Sequence, residues 1–126
     1  VQSGNLIYLA GHGPQQNNGN YIVGKLGKNV SIEQGYEAAK ITGIQLLATL
    51  RSAIGDLSKV KRIVKILGLV NCTEDFTDQP KIINGCSDLM VAVFGEKGKH
   101  ARSAIGTNAL PMGMAVEVEM IVEINP

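Results

Sequence analysis

The sequence has no excess of either charge and few aromatic residues, and each shortage disfavours a class of protein. Lysine and arginine number 12 against 11 acidic residues, the net charge is +1, and aromatic residues make up 4%. A dedicated nucleic-acid binder usually carries a concentrated cationic face, which is not visible here. No apolar run approaches the roughly 20 residues that a membrane-spanning helix needs, so we expect no membrane partner.

Only two cysteines are present, Cys72 and Cys86, and no other feature of the sequence suggests secretion. We therefore expect buried thiols in a cytoplasmic protein. The first residues do not resemble a signal peptide. Because the chain begins at Val1 rather than Met, a segment upstream is expected to be missing. The length of 126 residues predicts one domain, residues 1–126.

Hydrophobic periodicity divides the chain into strands and two helices. Ser31 followed by Gln34 is a capping-box signature, and Gly55 is a suitable end for a helix of about 23 residues. A second helix should begin at Thr77 or Asp78 and end before Gly95. Its predicted buried stripe is Ile82, Ile83, Leu89, Met90, Val93 and Phe94. Strands are predicted at residues 5–11, 21–26 and 60–70, with two more within residues 100–124.

This order of elements predicts an α+β fold in which two helices pack on one face of a mixed sheet. The strand at residues 60–70 is apolar on both faces, so both faces should be covered. Two helices can cover only one face, and the other face is expected to meet a neighbouring subunit. We expect the last two strands to pair as an antiparallel hairpin.

The last predicted strand alternates between an apolar and an acidic face, as a strand with one face on a core does. Glu117 lies on the face opposite the core-facing valines. Arg102, in the strand before it, is surrounded by small residues and offers a two-pronged donor for a carboxylate. A hairpin would bring Glu117 near Arg102. The alternative is an exposed cross-strand ion pair of little energetic weight.

Other reactive side chains form no recognisable motif. The histidines, His12 and His100, are far from both cysteines in sequence, so no metal-ligand spacing is visible. Ser87 and Ser103 have no base nearby and are interpreted as structural. The string RSAIG occurs at residues 51–55 and 102–106, and we interpret this repeat as chance, with one copy in a helix and one in a strand.

Several of these residues resemble the signatures of the Rid family, also called YjgF or L-PSP endoribonuclease-like. Arg102, the pair Leu110-Pro111 and the run from Val116 to Glu119 resemble the C-terminal signature of that family. Residues 3–14 resemble its opening signature, and Asp75-Phe76 and Asn84 stand near its second-helix landmarks. The resemblance implies a chorismate-mutase-like fold and a homotrimer with inward sheets.

The function that the resemblance implies is an enamine or imine deaminase, a hydrolase of the 2-iminobutanoate/2-iminopropanoate deaminase type. Arg102 would bind the substrate carboxylate, and Glu117 would orient or deprotonate the attacking water. Gly11 and Asn84 would contact substrate, Ala104 would contribute its backbone N–H, and His12 could line the site. The alternatives are an ordinary turn glycine at Gly11, a surface or capping residue at Asn84 and an incidental polar residue at His12. Neither a metal nor an organic cofactor is required, and the partners are an imino or 2-oxo acid and identical subunits.

One departure from the family pattern keeps other functions open. Many members have a cysteine two residues after the arginine, where this sequence has Ala104, so thiol chemistry is excluded there. A non-catalytic trimer that binds small carboxylates or regulates a partner would use the same arginine. RNA cleavage, carried by the family name, has little support because charge is nearly neutral and no histidine pair is visible.

Overall fold

The long helix begins and ends where its capping residues predict. In the computed structural model, which describes residues 1–126, helix α1 spans Ile32–Ile54. The Ser31 side chain accepts a hydrogen bond from the Gln34 amide at 3.1 Å, and the Gln34 side chain accepts one from the Ser31 amide at 2.9 Å. Gly55 follows with a φ of 87°, in the left-handed region that favours glycine. The predicted capping box is confirmed.

The second helix, α2, spans Gln79–Phe94 and is followed by Gly95, close to the predicted bounds. Five of the six residues of the predicted stripe are buried or partly buried, whereas Val93 is exposed. Cys86, which the prediction did not include, is also buried. The two helices approach closely at Gly85, where a side chain would collide with the backbone carbonyl of Tyr36. Neither helix is long and apolar enough to cross a membrane.

Five strands form one mixed sheet in the spatial order β1-β2-β5-β3-β4. Strands β3 and β4 are parallel, and the other neighbours are antiparallel. The predicted α+β fold, with two helices against a mixed sheet, is confirmed. The strands are β1 (Gln2–Ser3), β2 (Leu6–His12), β3 (Val60–Asn71), β4 (Ala101–Thr107) and β5 (Val116–Ile124).

The strand predicted at residues 21–26 is wrong. Tyr21, Val23 and Leu26 each make isolated bridges to different parts of the chain instead of a continuous ladder. Gly24 has a φ of 125°, which interrupts the extended backbone that a strand requires. The segment therefore crosses the end of the sheet as a loop.

The predicted hairpin of the last two strands is also wrong, because β3 lies between β4 and β5. Helix α2 carries the chain from β3 back to a parallel neighbour, as a crossover connection does. Strand β5 then pairs with the other edge of β3 and with β2. The apolar strand β3 is thus paired along both of its edges, with β4 on one and β5 on the other.

The two faces of the sheet differ in what covers them. On the helix-facing side, Ile63, Ile66, Val118 and Met120 are buried in the core. On the opposite side, which we call the helix-free face, no element of the chain covers the sheet. Tyr8 and Ile105 on the helix-free face are 43% and 50% exposed. Leu67, Leu69, Ile121 and Glu117 share that face with them.

Candidate active site

Arg102 lies on edge strand β4 and is held against helix α2. Its register partner is Ile66, a core residue, so the Arg102 side chain is on the helix-facing side of the sheet. Nη1 of Arg102 donates to Asn84 Oδ1 at 2.8 Å and to Ser87 Oγ at 3.2 Å. Asn84 and Ser87 are three residues apart and therefore share one face of α2.

These contacts leave most of the guanidinium unpaired within the chain. Both Nη1 protons have acceptors, whereas Nε and Nη2 have none among the protein atoms. Nε–H and an Nη2–H together form one of the two-pronged edges that a carboxylate can bind. Arg102 is half-buried, so the charge is partly shielded from water.

Ser87 does have a base beside it, contrary to the sequence prediction. Its Oγ lies 2.9 Å from His100 Nε2, and His100 Nδ1 lies 2.6 Å from the Gly98 carbonyl oxygen. Burial lowers the pKa of His100, the Gly98 hydrogen bond opposes this, and the charge of Arg102 lowers the pKa further. His100 and Arg102 are two residues apart and therefore point to the same side of the chain, a signal that sequence reasoning missed.

Ala104 follows Arg102 on the same face of β4 and packs against the core. Beneath this strand, burial raises the pKa of the Cys86 thiol to about 12, although Arg102 opposes the shift. Cys86 and Cys72 are both free and buried, as predicted. Neither is available as a substitute for a thiol at position 104.

Glu117 belongs to a second cluster, near the start of β5. A side chain at Gly11 would collide with the Glu117 carboxylate, so the glycine gives this carboxylate its space. Both residues line a cavity of about 420 Å³. His12 also lines the cavity, with Nε2 at 2.8 Å from Thr49 Oγ1. The cavity is further bordered by Gly13, Gln15, Tyr21, Gln45, Pro111, Met112 and Met114.

One chain does not bring Arg102 and Glu117 together. Glu117 pairs with Leu69 on the helix-free face, whereas Arg102 lies on the helix-facing side. Two strand spacings and three residues along the strand place their Cα atoms about 14 Å apart. The expected contact across a hairpin is therefore wrong, because the intervening strand β3 separates the two residues.

The structure thus divides the predicted residues into two half-sites. The arginine half-site contains Arg102, Asn84 and Ala104, with Ser87 and His100 added by the structure. The carboxylate half-site contains Glu117, Gly11 and His12. No group of three or more His, Cys, Asp or Glu side chains is placed to hold a metal ion.

Comparison with known proteins gives a consistent result over nearly the whole chain. The sequence profile described as "YjgF/chorismate mutase-like, putative endoribonuclease" matches residues 1–124. Protein TCP17 of Trypanosoma cruzi is 41% identical over 126 residues, covering 99% of this chain and 79% of that protein.

Crystal structures extend the comparison to the fold. Protein Atu1372 of Agrobacterium tumefaciens, described as having unknown function, superposes with a TM-score of 0.97 at 38% identity, covering 99% of this chain and 79% of that one. A "putative endoribonuclease" of Shewanella oneidensis superposes with a TM-score of 0.95 at 28% identity, covering 98% and 82% of the two chains.

Proposed function

The chain belongs to the YjgF/chorismate mutase-like family, which includes the Rid proteins. From this premise we propose that it is an imine deaminase. Its substrates would be reactive 2-imino acids of the 2-aminoacrylate type, and its products 2-oxo acids and ammonia. The observation that carries the proposal is the unpaired Nε/Nη2 edge of Arg102, whose Nη1 is already held by Asn84 and Ser87. That edge matches the carboxylate shared by every 2-imino acid.

The proposal requires a second copy of the chain. Arg102 and Glu117 lie on opposite faces of one sheet, so a site that uses both must take one residue from each of two copies. A head-to-tail interface joins two different patches and can close into a ring. The exposed apolar side chains of the helix-free face, including Tyr8 and Ile105, support burial against another subunit. We propose a homotrimer, the assembly that the family resemblance implies.

The chemistry asks only for positioning and proton transfer. Arg102 would fix the substrate carboxylate, and Glu117 of the neighbouring copy would accept a proton from water as the water oxygen bonds to the imine carbon. With the imine nitrogen protonated, the product of this addition is a neutral carbinolamine. Glu117 then returns the proton to nitrogen, and as the C–N bond breaks its carboxylate accepts the hydroxyl proton, which gives a 2-oxo acid and ammonia. Placement of a reactive small substrate next to a held water would supply much of the rate.

The remaining predicted residues have supporting roles in this proposal. Asn84 holds Arg102 rather than standing free for substrate. Gly11 leaves room for the Glu117 carboxylate, and His12 borders the same cavity. Ala104 lies beside Arg102 on the strand and would offer its backbone. The proposed location is the cytoplasm, with which the two free thiols are compatible.

A second candidate function is carboxylate binding without turnover. It is favoured by the completeness of the arginine half-site within one chain, which needs no Glu117 to bind an anion. RNA cleavage has less support because the two histidines lie in different clusters, His12 against Thr49 and His100 against Ser87. Acid–base catalysis on a ribose by a histidine pair therefore has no counterpart here.

Turnover of an enzymatically generated 2-imino acid tests the proposal. We expect the wild-type protein to speed ammonia and 2-oxo acid formation, and Arg102→Ala and Glu117→Gln to remove that gain. The absence of acceleration by folded wild-type oligomer across a range of imines would refute the deaminase. A purified protein that cleaves RNA with equal efficiency in both variants would indicate a contaminant.

Mixing the two inactive variants tests the shared site. If each site takes Arg102 from one copy and Glu117 from the next, random co-assembly of Arg102→Ala with Glu117→Gln restores about a quarter of the sites. The matched control is the double variant carrying both substitutions in one chain, which can restore none when mixed with itself. Failure of the mixture to regain activity, with mixed oligomers shown by mass spectrometry, would exclude a site shared in this way.

A further inference from the structure

Ser87 and His100 connect Arg102 to the backbone through a chain of hydrogen bonds, of which the deaminase proposal uses only the link between Arg102 and Ser87. Gly98 O, His100, Ser87 and Arg102 follow one another at 2.6, 2.9 and 3.2 Å. We propose that Ser87 and His100 are positioning residues that fix the Arg102 guanidinium for carboxylate binding. This inference rests on the proposed function, since it assigns a role toward the same carboxylate.

Hydrogen-bond chemistry sets the direction of each link in the neutral network. A carbonyl oxygen can only accept, so the 2.6 Å contact requires a proton on His100 Nδ1. Nε2 of a neutral imidazole is then an acceptor, and the Ser87 hydroxyl must donate to it. The Ser87 oxygen keeps its lone pairs for Arg102 Nη1. The lowered pKa of His100 is consistent with the neutral form that this order requires.

The network determines which edge of the guanidinium remains available. Asn84 and Ser87 accept from the two protons of Nη1, so the planar group is held at one corner. The opposite Nε/Nη2 edge is then presented without a search through rotamers, which reduces the entropy lost on binding. If Ser87 lost its hydroxyl, only Asn84 would hold Nη1, and the guanidinium could rotate away.

The dependence of His100 on Ser87 for its connection to Arg102 distinguishes the proposal from a general effect on packing. The hydrogen bonds from His100 reach Arg102 only through Ser87, so removal of either residue breaks the same hydrogen-bonded chain. The losses in carboxylate affinity caused by substituting Ser87 and His100 should therefore overlap rather than add. Independent packing effects of a half-buried serine and a half-buried histidine would instead multiply in affinity.

The experiment measures binding of 2-oxobutanoate by calorimetry to wild-type protein and five variants. We expect Ser87→Ala and His100→Ala each to weaken binding by about 3- to 10-fold, the range of one lost hydrogen bond. The double variant should match the single ones, and Ser87→Thr, which keeps the hydroxyl, should stay within about twofold of wild type. The matched control is Ser103→Ala, on the opposite face of β4, with no expected change.

A second measurement reports on Arg102 without any bound acid. In nitrogen-15 NMR spectra, the Arg102 side-chain signals should show slowed guanidinium rotation in wild type and faster rotation in both Ser87→Ala and His100→Ala. Ser87→Ala removes a single oxygen, so we expect this variant to fold, and it tests the proposal even if His100→Ala does not fold. Unchanged rotation and unchanged affinity in Ser87→Ala would overturn the proposal, as would losses that multiply in the double variant.

The two proposals fail in different ways. If wild-type protein binds 2-oxobutanoate but does not hydrolyse imines, the deaminase is refuted. The positioning role then stands if Ser87→Ala weakens that binding and speeds Arg102 rotation, and it falls if neither changes. If wild type is an active deaminase but Ser87→Ala keeps full affinity and unchanged rotation, only the positioning role is refuted.

Discussion

A methyl group at Gly11 is a small change that disturbs Glu117 without altering an ionisable group. The added Cβ would lie 2.8 Å from the Glu117 carboxyl carbon and closer still to one of its oxygens. Raising 2.8 Å to the 3.4 Å of ordinary contact moves that carbon by about 0.6 Å, and the oxygen must move further. The obstacle is the end of a flexible side chain, so the fold should accept Gly11→Ala with little loss of stability.

Under the proposed deaminase mechanism, the expected effect on catalysis is larger than the effect on folding. Displacement of a reacting group by about 1 Å can cost up to roughly 100-fold in rate. We therefore expect kcat/KM for an imino acid to fall about 10- to 100-fold, or about 1.4 to 2.7 kcal/mol in transition-state stabilisation. The assay is the coupled release of ammonia, with thermal melting measured on the same samples.

Two further variants separate displacement of Glu117 from a general effect of replacing glycine. Gly19→Ala places a methyl group in open space at a φ of 87°, so it should lower stability by about 1 kcal/mol through backbone strain alone and keep full activity. Adding Gly11→Ala to Glu117→Gln should cost nothing more, since both act through one carboxylate. A Gly11→Ala protein with kcat/KM within about twofold of wild type would refute this reasoning.

Three other predictions concern stability and reactivity. Gly85→Ala places a methyl group against the Tyr36 carbonyl, so thermal melting should show a loss of about 1–3 kcal/mol or more, and an unchanged melting temperature would contradict the close helix approach. The lowered pKa of His100 means that this imidazole binds a proton more readily in the unfolded chain than in the folded one. The free energy of unfolding should therefore fall as pH drops below about 6.5. His100→Gln should flatten that pH dependence in denaturant titrations. Because burial raises the pKa of Cys86 to about 12, iodoacetamide at pH 8 should label it only after unfolding, and rapid labelling of native protein would disprove its burial.

The arginine half-site shows how far sequence reasoning could go. The family motif selected Arg102, Asn84 and Ala104, and the structure places all three near one another, on β4 and the facing side of α2. Ser87 shows no nearby base in the sequence and His100 shows no metal-ligand spacing, so sequence patterns predict a functional role for neither. Only the packing of α2 on β4 brings them to 2.9 Å, and that packing depends on contacts throughout the core.

Local patterns determined the elements whose signals lie within a few residues. The Ser31 capping box and Gly55 fixed the bounds of α1, since capping is an interaction between near neighbours. The alternation of apolar and acidic residues identified β5 and assigned Glu117 to its face, because side-chain direction in a strand has a period of two. The repeated string RSAIG shows the limit of such patterns. Its first copy, residues 51–55, lies at the end of helix α1, whereas its second copy, residues 102–106, lies within strand β4.

Tertiary structure alone decided the strand order and, with it, the division of the site. The local patterns of β4 and β5 do not indicate that β3 lies between them, because pairing depends on which edges remain open after the crossover through α2 is made. That choice places Arg102 and Glu117 on opposite faces of the sheet. The sequence thus determined which side chains are available for chemistry, whereas long-range strand pairing decided that one chain cannot bring them together.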